Sequence, residues 1–328
     1  MTFSRSALAS ARRSRYDDHS LTLPADEKEY AMPRQSTSHL LLIEPATFYA
    51  NPETMDTNIY QIDQSETHEQ TYQKALAEFR AFRDVLVENG VVVTTLKGST
   101  ECPDHLFPNW ISTHENREMV VYPMLNDNRR AERTDEIIKF FETHYDIALD
   151  ISAFEERGQF LESTGSLNMD RINKVVYAGL SGRTDETLAK YWAEQMGYEL
   201  ETFRTETDAG KPVYHTDLVM YIGSELAVIC ADCIVEEDRQ RVLDRLSKTH
   251  KVVELSMEQL NSFCGNSLEI LNTDGERMLV MSKAAFDALR EDQLEIFNQY
   301  FTKILYSDIS TIEKYGGGSA RCLIMEMF

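Results

Sequence analysis

The chain has 328 residues, 42% of them hydrophobic and 27% charged, which is ample for a sizeable core. A formal net charge of −22 excludes the basic face that nucleic acid or an anionic membrane surface requires, and no apolar run reaches the roughly 18 residues of a membrane span. Five cysteines, an odd number scattered along the chain, argue against a disulfide framework and for a reducing, cytoplasmic setting.

In chain order, the opening MTFSRSALASARRSRY carries Arg5, Arg12, Arg13 and Arg15 without an acid, and DDHSLTLPADEKEYA then turns acidic. Such Arg- and Ser-rich starts resemble organellar transit peptides, which sets a mitochondrial location beside the cytoplasmic one. The plainer expectation is a disordered extension over residues 1–38, or an upstream start ahead of Met32, followed by a single domain over 39–328.

HLLLIEP, beginning at His39, reads as a strand with no helix before it. QTYQKALAEFRAFRDVLVENG then places Tyr72, Leu76, Phe79, Phe82 and Leu86 at helical spacing, with Gly90 as a stop, and VVVTTL follows as a strand. The same pair recurs four times, as RTDEIIKFFETHY into DIALDI, TDETLAKYWAEQMG into YELETF, EEDRQRVLDRLSKTH into KVVELS, and REDQLEIFNQYFT into KILYS. After each of the first four pairs come a polar or Gly-containing loop and two more apolar runs, such as SLNMD with KVVYAGL. The fifth has only CLIMEMF, so HLLLIEP is left to complete it. A period of roughly fifty to sixty residues predicts a five-bladed α/β propeller with pseudo-fivefold symmetry. Its helices lie outside, its strands line an axis, and the N- and C-terminal strands close the ring and leave no open edge. Cys230 and Cys233 form a CxxC within LAVICADCI, but no second Cys/His pair follows at zinc spacing, so they read as core.

In a ring, equivalent loops converge on the axis. The loops that lead into the first apolar run after each helix–strand pair hold Asp104 (CPDHLFPNW), Glu162 (FLESTGSLN), His215 (VYHTDLVM), Asn266 (FCGNSLEI) and Cys322 (GSARCLIM). A thiol, an imidazole and two carboxylates in phase with the repeat suit nucleophilic substitution at an electron-poor carbon. The thiol attacks as thiolate, the imidazole protonates a leaving amine and then activates water, and carboxylates hold a planar guanidinium. The glycines of GGGS before Cys322 allow close backbone approach.

GGGSARC, together with YHTD, FLESTGSL and GLSGRTD, resembles the guanidino-group-modifying superfamily. It comprises arginine deiminases, dimethylarginine hydrolases and amidinotransferases, all built on the pentein fold. The resemblance spans roughly Leu40 to Phe328, and LLLIEPATFYANPET with PDHLFPNWISTH looks closest to a bacterial amidinotransferase-like branch that contains citrulline hydrolases.

By this resemblance Cys322 is the nucleophile of a covalent intermediate, His215 the general acid/base, and Glu162 a carboxylate for the guanidino nitrogens. Asp217 faces the guanidinium, Arg183 grips the substrate's α-carboxylate, and Asp104 opens the first active-site loop. No cofactor or metal is implied. The substrate is a small molecule, arginine, citrulline or a derivative, and a homo-oligomer is compatible with the superfamily.

Two departures leave the substrate open. Where deiminase-like members carry a further Asp, this chain has Trp110 preceded by Asn109, which suits a neutral ureido group, whereas Asp217 suits a cation. The expected activity is therefore hydrolysis of a C–N bond, either arginine deiminase-like or cleavage of citrulline. An amidinotransferase is the rival, disfavoured by Arg321 in the GGGxxRC ending. A non-catalytic member of the same fold is disfavoured by the thiol itself.

Overall fold

The computed structural model describes residues 33–62 and 66–328. The arginine-rich opening and the start at Met32 lie outside the described residues. Within the extension expected over 1–38, the segment 33–38 is placed against the ring. There Gln35 Nε2 donates to the carbonyls of Met169 (2.9 Å) and Ile222 (3.0 Å), and Thr37 Oγ1 donates to that of Met327 (2.9 Å).

Strand β1 (His39–Glu44) is followed by the helix His68–Glu88 and by β2 (Val92–Lys97), which pairs parallel to β1. Apolar residues at helical spacing bury Phe79, Phe82 and Leu86, and Thr67 caps the first turn by accepting from the backbone N–H of Gln70. The next four blades repeat one scheme in which the first strand is antiparallel to the second, and a helix then crosses over to a third strand parallel to the second. They are β3 (Ile111–His114), β4 (Glu118–Val121) and β5 (Asp146–Asp150); β6 (Asn168–Asp170), β7 (Val175–Leu180) and β8 (Glu199–Arg204); β9 (Met220–Ile222), β10 (Leu226–Ile229) and β11 (Lys251–Glu254); and β12 (Leu268–Leu271), β13 (Arg277–Ser282) and β14 (Lys303–Ser307). The crossover helices, Asp135–His144, Glu186–Met196, Glu236–Leu246 and Glu291–Tyr300, lie within the four stretches expected to be helical.

The last strand, β15 (Met325–Glu326), pairs antiparallel with β1 in the register Leu40↔Glu326 and Leu41↔Met325, and so supplies the first strand of the first blade. The two ends of the chain thus make one blade, as the unpaired runs HLLLIEP and CLIMEMF predict. The closing strand is shorter than CLIMEMF, because Cys322 and Leu323 lie in a turn ahead of it. Neighbouring blades are tied together. Thr113 Oγ1 donates to Glu326 O (2.7 Å), Asn168 Nδ2 donates to Met220 O (2.6 Å), and Leu271 N donates to Thr37 O (3.1 Å). Among the described residues no helix is long and apolar enough to cross a membrane.

Candidate active site

Each blade delivers one of the phased residues from the segment just ahead of its first strand: Asp104 before β3, Glu162 before β6, His215 before β9, Asn266 before β12 and Cys322 before β15. Because the blades are equivalent, the five segments meet at one end of the axis. Asp104, Asn109, Arg183, His215 and Cys322 line one cavity of about 250 Å³, together with Asn58, Phe107, Arg129, Tyr214, Gly316 and Gly318. Glu162 and Asp217 are fully buried beside it, in contact with His215 and Cys322 respectively.

The imidazole is held from one side only. His215 Nε2 lies 2.8 Å from Glu162 Oε2, whereas the buried Nδ1 has no partner among the described residues. Thr216, the next residue, locks the segment by donating from Oγ1 to Ser166 O (2.6 Å) and accepting from Gly179 N (2.8 Å). The ring rests on Gly165, where an added Cβ would stand 2.6 Å from Nδ1. Gly165→Ala therefore has to displace Nδ1. We expect kcat to fall at least about tenfold with a smaller change in KM, since misplacing a reacting group costs rate more than affinity. Wild-type kcat in this variant, measured by steady-state kinetics, would show that the ring position is not needed.

Glu162 is the electrostatic hub. Its Oε1 accepts from Leu125 N (3.1 Å), and its Oε2 faces both His215 and Arg183 NH1 (3.4 Å). Burial alone would raise its pKa, but Arg183, His215 and Arg129 outweigh burial and hold the carboxyl at about 2. Arg183 is itself committed. Its guanidinium lies 4.7 Å over the Tyr214 ring, and it donates to Thr57 Oγ1 (2.8 Å) as well as to Glu162. Backbone strain gathers here too, with Ser163 at φ 45° immediately after Glu162.

Around the thiol, Asn266 Nδ2 donates to Cys322 Sγ (3.1 Å), Asn266 Oδ1 accepts from the Cys322 N–H (3.3 Å), and the thiol donates to Asp217 Oδ2 (3.3 Å). Burial, and then the Asp217 charge, push the thiol well above its ordinary value. Burial likewise raises Asp217 and Asp104, and one carboxyl oxygen of each, Oδ1, is buried without a partner among the described residues. Asp104 Oδ2 accepts from Asn51 Nδ2 (2.8 Å), and Asn109 Oδ1 accepts from Arg129 NH2 (3.3 Å). Gly317, at φ 63°, takes a left-handed turn that L side chains rarely adopt, which fits the glycine run ahead of Cys322.

Sequence reasoning missed Arg129, Asn58 and Tyr214. Arg129 pairs with buried Glu132 and donates to Phe107 O (2.6 Å), but in NDNRRAER nothing distinguishes it from its exposed-looking neighbours. Tyr214 stands beside His215 in the quoted VYHTD and donates to Gly317 O (2.7 Å), so adjacency to the histidine was its only signal. Trp110, at the position where an additional Asp was looked for, is wholly buried in the apolar core.

Four buried carboxyl groups, Asp104, Glu132, Glu162 and Asp217, surround the site; Arg129 pairs with Glu132, Arg183 with Glu162, Arg321 acts on Asp217, and burial pushes Glu132 up to about 8. Among the described residues Asp104 and Asp217 make no direct ion pair, and a planar cation in the cavity would supply one beside the Cys322 thiol.

Over residues 44–328 the chain matches a family model described as N,N dimethylarginine dimethylhydrolase, eukaryotic. Among solved structures, a cysteine-to-alanine variant of AgrE in complex with L-arginine superposes with a TM-score of 0.71 at 14% identity, covering 88% of this chain and 40% of AgrE. The N-terminal domain of ArgZ, an arginine dihydrolase from the ornithine–ammonia cycle in Cyanobacteria, bound to substrate as a cysteine-to-serine variant, gives 0.69 at 15% identity over 88% of this chain and 97% of its own. DDAH from Pseudomonas aeruginosa, a cysteine-to-serine variant complexed with citrulline, gives 0.64 at 17% identity over 90% of this chain and 100% of its own. These likenesses establish the pentein fold. A search of curated proteins gives no match.

Proposed function

The chain belongs to the eukaryotic N,N-dimethylarginine dimethylhydrolase family, within the guanidino-modifying superfamily, and on that footing we propose that it hydrolyses a C–N bond of a cationic guanidino side chain, that of arginine or an N-methylated arginine. The observation that carries this reading is a pair of buried carboxyl groups, each with one oxygen unpartnered among the described residues: Asp104, which lines the cavity, and Asp217, which lies against the Cys322 thiol. A guanidinium compensates them, whereas a neutral ureido group leaves both charges unpaired. The unmethylated and methylated substrates share this chemistry and differ only in the amine released.

The residues divide the work as follows. Burial and then the Asp217 charge keep Cys322 protonated; a cation entering the cavity offsets that charge, so the thiol passes its proton to His215 Nδ1 when substrate binds rather than before. The thiolate adds to the guanidinium carbon, with Asn266 holding the sulfur in line. His215, anchored through Nε2 by ionised Glu162, presents Nδ1 to carry a proton to the departing amine. The C–N bond breaks and a thiouronium remains on Cys322. The same nitrogen takes a proton from water as it attacks this intermediate, which releases citrulline and restores the thiol. The balance is one water consumed for one amine released.

Arg183 fits a carboxylate grip less simply than the resemblance implies. With Glu162 and Thr57 already as partners, it both braces the His215–Glu162 pair and lines the cavity.

The test is product analysis on purified protein offered arginine, methylated arginines and citrulline separately. Citrulline with ammonia or the matching methylamine is the expected result. Ornithine from citrulline would overturn the charge argument, and no turnover of any of them would overturn the reading of the chain as a hydrolase.

A further inference from the structure

The CxxC of the fourth blade plays no part in this chemistry, yet it is not ordinary core. Cys230 directly follows β10, and Cys233 ends the single 3₁₀ turn Ala231–Cys233, so one turn separates the two residues. Cys233 Sγ donates to Cys230 O at 3.1 Å, and Cys230 Sγ lies 3.6 Å from Ser256 O. A third sulfur joins them from a different element. Met257, at the start of the helix Met257–Asn261, sets Sδ 3.8 Å from Cys230 Sγ. The other buried cysteine of this blade's core, Cys264, has no such company and donates only to a carbonyl, that of Ala285 (3.3 Å).

We propose that Cys230, Cys233 and Met257 form a binding site for a soft, low-coordinate cation of the cuprous class. Two thiolates and a thioether are the donor set that selects Cu(I) over harder ions. With metal–sulfur bonds of about 2.3 Å, the length known for zinc thiolates, a trigonal ion separates its sulfurs by about 4 Å. The 3.8 Å between Cys230 and Met257 is close to that span. Zinc would require a fourth ligand, and among the described residues no group of three or more His, Cys, Asp or Glu is arranged to hold a metal.

Access is provided as well. Cys233 and the half-buried Met257 face an open groove whose rim carries Glu206, Asp208, Asp232, Glu236 and Glu237 against a single base, Arg239. Such a rim concentrates cations at the mouth of a sulfur-lined floor. Binding replaces two S–H bonds with two metal–sulfur bonds, releases both protons to solvent through the groove, and changes no oxidation state. The site uses no residue of the Cys322 cavity and stands whether or not the hydrolase reading does.

The experiment is an anaerobic competition in which reduced full-length protein is titrated into the Cu(I) complex of bathocuproine disulfonate, with loss of the chelator's colour as readout. The wild type is expected to withdraw one equivalent per chain. The double variant Cys230→Ser/Cys233→Ser is expected to withdraw none, and the volume-conserving Met257→Leu to bind at least about tenfold more weakly. X-ray absorption on the copper-loaded wild type is expected to show sulfur neighbours only, a readout that does not depend on whether the double variant folds. Unchanged chelator colour with wild type, uptake by a folded double variant equal to wild type, or a nitrogen and oxygen shell around copper would each overturn the proposal.

Discussion

Cys322→Ala is expected to lose turnover of every guanidino substrate by at least about a thousandfold, because in the proposed mechanism the residue forms a bond to carbon that no neighbour can replace. The fold is expected to survive. The side chain is small and 5% exposed, and its loss forfeits two modest hydrogen bonds, with Asn266 and Asp217. The cost is about 1–2 kcal/mol, or a few degrees in Tm for a domain of this size. Steady-state kinetics and a thermal melt on the same preparation check both halves. A variant that keeps a tenth of wild-type kcat would remove Cys322 from the nucleophile's role, and one that fails to fold would show the thiol to be structural.

Glu162→Gln is expected to damage stability and rate together. The amide keeps the shape but not the charge, so Arg183 loses its buried counter-ion and His215 the acceptor that fixes its tautomer. Breaking a buried pair from one side costs about 3–5 kcal/mol. Misdirecting a catalytic imidazole by the same kind of exchange costs orders of magnitude in kcat, and at least about a hundredfold is expected here.

The stability effect carries a pH signature. Folding lowers the Glu162 carboxyl from 4.5 to about 2. A group depressed in the folded state contributes stability that is fully present above its unfolded pKa and is lost as pH falls through the folded one. The gap between wild type and Glu162→Gln should therefore be constant above pH about 4.5 and shrink towards pH about 2, by an amount on the order of 3 kcal/mol. Denaturant titrations at a series of pH values read this directly. A gap that does not change with pH would mean that the carboxylate is not charged in the fold.

Much of this was legible before any coordinates. The repeat of helix and strand located five blades, and the unpartnered HLLLIEP and CLIMEMF located the seam between β1 and β15. Phase within the repeat brought Asp104, Glu162, His215, Asn266 and Cys322 to one end of the axis, because a side chain's place in a ring follows from its place in the repeat.

What the sequence withheld was pairing. That Glu162 serves His215 and Arg183 at once, or that Asp217 lies against the thiol, depends on side-chain directions in one-turn helices too short to leave a periodic signal. Arg129 illustrates the same limit. A buried guanidinium and a solvated one are written alike, and only the surrounding chain decides which of two adjacent arginines turns inward. Phase also says nothing of length, which is why the closing strand came out shorter than its apolar run: the turn at Cys322 consumes residues that composition alone assigns to the strand.

The central claim is that Cys322 bonds covalently to the substrate's guanidinium carbon, and acid quenching during turnover of an N-methylated arginine, followed by peptide mass spectrometry, tests it most directly. The account predicts an adduct with the mass of substrate less its amine, carried by the C-terminal peptide that holds Cys322 and absent when Cys322→Ala is treated alike. Citrulline formation with no adduct on that peptide, or an adduct on Cys102, Cys230, Cys233 or Cys264 instead, would contradict it.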